Sequence, residues 1–96
     1  MTLNADQLRD LRNALADRIY VQVASWHLYL GDAGLAEDLA GECAARLELG
    51  PVICARQALE AVQVSIGGGS GRLPLSRLVP AGQLQDLEDV LRDFEA

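Results

Sequence analysis

The sequence contains no lysine: all eight basic residues are arginines, set against fourteen Asp and Glu for a net charge of −6. Nucleic-acid backbones and anionic membrane surfaces are held by clustered cations. This balance therefore argues against either as the main partner. Histidine occurs once, so a Ser-His-Asp triad or a multi-histidine metal centre has a single imidazole to draw on. The two cysteines, Cys43 and Cys54, are too few for a disulfide framework and lack the tight spacing of a zinc-ligand pair. They read as buried free thiols in a reducing compartment. Long apolar runs are also missing. The stretch Ile19–Leu30 is broken by Gln22, Ser25 and His27 and falls short of the ~20 residues a membrane-spanning helix needs. The first residues, Met-Thr-Leu-Asn-Ala-Asp, carry neither a basic segment nor an apolar stretch ahead of a cleavage site, so no secretory signal is expected.

What remains is half apolar over 96 residues, enough to bury one core and too short for two, since domains run to roughly 50–200 residues. A soluble, cytoplasmic single domain over residues 1–96 is expected. Asn4 with Gln7 three residues later resembles a capping box, and no Gly or Pro follows until Gly31. Leu8, Leu11, Leu15, Ile19, Val23, Trp26 and Leu30 recur every three or four residues, which predicts one long helix. The competing reading is a strand from Ile19, Val21 and Val23, which are β-branched and alternate. A helix over all of residues 5–30 would be ~39 Å long, so a bend or an early stop is open.

Gly31-Asp32-Ala33-Gly34 reads as a turn with Asp32 capping a second helix, whose apolar face is Leu35, Leu39, Cys43 and Leu47. Gly50 closes it. Pro51 opens a third helix with Val52, Ala55, Leu59 and Val62 as its stripe, making a tight helical hairpin with the second. From Val62 the period falls to two, predicting a β-hairpin of strands 62–66 and 73–75 around a glycine-rich loop. Pro74 cannot donate to a ladder, so its nitrogen should face an edge or solvent. A last helix from about Gly82 carries Leu84, Leu87, Leu91 and Phe94. The fold class is thus α+β, mainly α: about four helices packed around a long N-terminal helix, with one β-hairpin.

No constellation reads as catalytic, and none as a metal or cofactor site. The loop residues Gly67, Gly68 and Gly69 expose backbone N–H groups and end near Arg72, so they are a candidate anion site for a small phosphate-bearing metabolite. A phosphate loop runs into a helix, however, and this one runs into Leu-Pro-Leu, which suits a hairpin turn better. Ser70 sits in a sequence that begins like a hydrolase nucleophile elbow but has Arg72 where that motif closes on Gly. His27 is most simply a packed or interface residue. Neighbouring acids such as Glu37–Asp38 point apart on a helix and suit a solvated face. Three of the four aromatic residues, Tyr20, Trp26 and Tyr29, lie within ten positions of one another. They serve either as core or, with His27, as an exposed patch of the kind that anchors protein interfaces.

Ile19-Tyr20, Trp26-His27-Leu28-Tyr29-Leu30, Val64-Ser65-Ile66-Gly67-Gly68-Gly69 and Leu73-Pro74-Leu75 together resemble a small cyanobacterial family of proteins without an assigned activity. The resemblance spans most of the chain. It implies a cyanobacterial cytoplasmic protein of this size and brings no catalytic residues with it. The expectation is a non-enzymatic interaction protein, an adaptor or assembly factor that meets a protein partner or its own copy. The alternative is an anion-binding regulatory module.

Overall fold

In the computed structural model, residues 3–23, 26–66 and 71–94 are described. Asn4 caps helix α1 (Ala5–Arg18): its side-chain oxygen accepts from Gln7 N–H at 2.8 Å, and Gln7 Oε1 accepts from Asn4 N–H at 3.0 Å. Leu11 and Leu15 on its inner face are fully buried. Instead of continuing to Leu30 as the apolar periodicity predicts, α1 stops at Ile19, which is extended at φ −105°, ψ 135°. The β-branched alternation wins. The chain folds back as an antiparallel hairpin of β1 (Tyr20–Val23) and β2 (Trp26–Tyr29), paired Tyr20 with Tyr29 and Gln22 with His27. Folding back has a packing reason. It lets Ile19 and Leu30, joined by a 2.9 Å hydrogen bond, both enter the core completely, whereas a straight helix would carry the second out of it.

Helix α2 (Leu30–Ala33) follows, ended by Gly34 at φ 73°. Asp32 therefore lies inside α2 and does not cap the next helix; α3 (Ala36–Ala44) starts after Leu35 with no side-chain cap. Gly31 allows α2 to pack closely on α1, because a Cβ there would stand 3.0 Å from Ala16 Cβ. A 3-10 turn (Leu47–Leu49) and Gly50, at φ 89°, lead to α4 (Pro51–Ala61) with Pro51 in its first turn. Helices α3 and α4 form the expected helical hairpin.

Strand β3 (Gln63–Ile66) pairs with β4 (Gly71–Pro74). The return strand thus begins two residues before and ends one residue before the expected 73–75, and Leu75 instead begins a 3-10 turn (Leu75–Arg77) in which it is fully buried. Leu75 N–H donates to Val62 O at 2.8 Å. The Gln63–Pro74 pair is then a non-hydrogen-bonded one, and the proline nitrogen faces outward as its chemistry demands. Helix α5 (Ala81–Arg92) buries Leu87, Val90 and Leu91. Among the described residues the fold is mainly helical, with five α-helices and two separate two-stranded antiparallel sheets. Buried side chains from α1, α3, α4 and α5 meet in one cluster, each large one worth ~1.5–3 kcal/mol. None of the described helices is long and apolar enough to cross a membrane.

Candidate functional site

The first hairpin gathers most of the residues that the sequence singles out. In an antiparallel pair, opposed residues share a face, so the register sets Tyr20, Gln22, His27 and Tyr29 on one side of the hairpin and Val21 and Leu28 on the other. The Tyr20 ring stacks on the His27 imidazole with centroids 4.9 Å apart, and it meets Tyr29 edge-on at 5.8 Å. Helical spacing would have spread these rings around a cylinder; strand pairing makes them one cluster. His27 and Tyr29 are exposed, Tyr20 is half-buried, and Val21 underneath is buried. Leu28 and Tyr29 remain 44% and 47% exposed, which is high for such large apolar groups. Trp26 is placed in β2 opposite Val23, and its side chain lies outside the described residues.

The hairpin's two edges differ. Because Ile19 and Leu30 form a hydrogen-bonded pair, the N–H groups of Tyr20 and Gln22 point away from β2, and those of His27 and Tyr29 point away from β1. Tyr20 N–H donates to Gln83 Oε1 at 3.1 Å, and Gln22 N–H donates to the Leu78 carbonyl at 2.8 Å. Gln83 is itself buried and oriented by Asp86, whose Oδ2 accepts from its Nε2 at 2.7 Å. The β1 edge is thereby sealed against α5 and the segment before it. On the β2 edge, the N–H groups of His27 and Tyr29 have no acceptor among the described residues.

The other candidates fall elsewhere. Gly67, Gly68, Gly69 and Ser70 lie outside the described residues; Arg72 is exposed on β4 opposite Ser65. His27 and the two thiols do not converge, since the imidazole is exposed on the hairpin while Cys43 and Cys54 are fully buried between α3 and α4. Cys54 Sγ donates to the Cys43 carbonyl at 3.2 Å. A hydrogen bond between the two thiols pushes Cys43 well above the ordinary thiol range, reinforced by burial, and holds Cys54 below it. A shallow groove between α1 and the α2–α3 region, lined by Arg12, Ala16, Gly31, Gly34, Ala36 and Glu37, contains neither imidazole nor thiol.

A model of one protein family matches residues 8–94, a span that takes in both hairpins and every α-helix except the first turn of α1. The chain belongs to the DUF3181 family, described as proteins of unknown function. No curated protein and no solved structure matches it. DUF3181 membership covers the aromatic hairpin, the thiol pair and Gln83 alike.

Sequence reasoning passed over Gln83, although a signal was present: it lies four residues before Leu87 and is the one polar residue buried on the α5 stripe. A buried amide on an apolar stripe needs a partner. The proximity of the two cysteines was also legible, since Cys43 lies near the end of α3 and Cys54 in the first turn of α4, and a helical hairpin brings such positions together.

Proposed function

We infer that this DUF3181 protein is a non-catalytic adaptor or assembly factor whose working surface is the outer edge of β2, offered to an extended strand of a different protein. The observation that carries this reading is the edge asymmetry: β1 has its outward N–H groups taken, and β2 has His27 and Tyr29 N–H groups without acceptors among the described residues. Such an edge is a template for strand addition. Charge or proline normally guards it. From Ile19 to Gly31 the chain has neither, whereas β4 carries both Arg72 and Pro74. An added strand also covers Leu28 and Tyr29, and tyrosine is enriched among residues that dominate binding energy.

Charge selects the partner. Two copies at −6 each repel, which favours a partner of different sequence over self-pairing. A strand flanked by basic residues gains from the same charge. Tyr29 offers a clean test because its φ of −65° is the angle proline imposes and its N–H faces outward. Tyr29→Pro removes the edge donor and leaves the hairpin ladder intact, while Tyr29→Ala removes only the ring. Partners captured by the wild type are expected to be weakened by Tyr29→Ala and lost with Tyr29→Pro, and to shield the His27 and Tyr29 amides from exchange. Capture unchanged by Tyr29→Pro, or a complex in which both amides exchange freely, contradicts the assignment.

A further inference from the structure

Cys43 sits one residue before the end of α3 and Cys54 in the first turn of α4, on the two sides of the α3–α4 hairpin. Both are fully buried, and Cys54 Sγ donates to the Cys43 carbonyl at 3.2 Å. A sulfur that already touches the backbone of the other cysteine is one side-chain rotation from that residue's thiol, within reach of the ~2.05 Å bond of a disulfide. One turn beyond Cys43, Arg46 is clamped to Glu42 by a 2.8 Å ion pair and a 3.0 Å bond to its carbonyl, and its positive charge favours the thiolate at both sulfurs. The geometry points to Cys43 and Cys54 as a dithiol modification site that a low-molecular-weight disulfide oxidises to an intramolecular bond tying α3 to α4.

The chemistry balances without a further reactant. Cys54, whose thiolate the neighbouring Cys43 side chain and the Arg46 cation favour, loses its proton to solvent and attacks one sulfur of oxidised glutathione, releasing one reduced glutathione. Cys43 then gives up its proton, and its sulfur attacks Cys54 Sγ in the mixed disulfide, expelling the second glutathione. Two protein thiols are oxidised and one small disulfide is reduced. Neither sulfur is exposed, so reaction is gated by opening of the connection through the Leu47–Leu49 turn and Gly50. Once that connection closes, the buried site has no room for a glutathionyl group and favours attack by Cys43.

The test incubates the native protein with oxidised glutathione, quenches with acid, denatures, alkylates and weighs the product. The expected product has lost two hydrogens, carries no alkyl group on either cysteine, yields a Cys43–Cys54 linked peptide and returns to the dithiol with dithiothreitol. Cys43→Ser is expected to accumulate a stable glutathione adduct on Cys54, and this arm distinguishes the attacking from the resolving sulfur. Wild-type protein with both cysteines still alkylated, with a lasting glutathione adduct, or linked between chains overturns the proposal; this readout requires no variant to fold.

Discussion

Removing the Gln83 side chain perturbs the one buried amide that fastens the aromatic hairpin to α5. In Gln83→Ala the Tyr20 N–H loses its 3.1 Å acceptor and Asp86 loses a 2.7 Å donor. An unpaired buried N–H costs ~1–3 kcal/mol. Tyr20 is half-buried, so water partly replaces the amide and the expected loss is about 1–2 kcal/mol, roughly a 5–30-fold fall in the folded-to-unfolded ratio. Gln83→Glu keeps an oxygen for Tyr20 but turns the donor facing Asp86 into a second carboxylate. The repulsion raises the pKa of that acid pair in the folded state above its unfolded value. Stability is then lowest at neutral pH and recovers as pH falls through the carboxylate range, below about 4–5. Urea denaturation as a function of pH, with amide exchange read at Tyr20, measures both effects. Wild-type stability in Gln83→Ala, with the Tyr20 amide still protected, refutes the anchoring role.

Gly31→Ala places a methyl 3.0 Å from Ala16 Cβ and is expected to cost about 1–3 kcal/mol by denaturation, with recovery in the Gly31→Ala/Ala16→Gly double variant. Gly34→Ala meets no neighbour within 4 Å, and its cost of ~1–2 kcal/mol comes from the φ of +73°, so Ala16→Gly leaves it unrelieved. Asn4→Ala removes the capping box of α1 and should lower stability by ~0.5–2 kcal/mol, with added exchange at the Gln7 amide. Arg46→Ala takes away a cation that favours both thiolates, so alkylation of Cys54 should require a higher pH than in the wild type; an unchanged profile removes Arg46 from that role.

Local rules written into short segments were legible from the sequence. The Asn4–Gln7 box, Pro51 at the start of α4, the outward nitrogen of Pro74 and the α5 stripe all follow from one or two residues and their backbone chemistry. The fate of residues 19–30 was not, because Ile19, Val23, Trp26 and Leu30 fit the helical period while Ile19, Val21 and Val23 fit the strand period. What decides is tertiary: Ile19 and Leu30 both reach the core, and the β1 edge finds Gln83 and the Leu78 carbonyl about sixty residues away along the chain. The same fold-back turns Tyr20, His27 and Tyr29 from residues dispersed around a helix into one cluster. Asp32 was misplaced for a similar reason, since α2 is a short turn ended by Gly34 and takes in the residue expected to cap its successor.

Amide exchange resolved at four positions of the free protein tests the edge asymmetry most directly and needs no partner. Tyr20 and Gln22 should exchange slowly and His27 and Tyr29 at close to unprotected rates, independently of protein concentration. Equal protection at all four in the dilute monomer, or protection of His27 and Tyr29 that grows with concentration, contradicts an open β2 edge kept for a different protein.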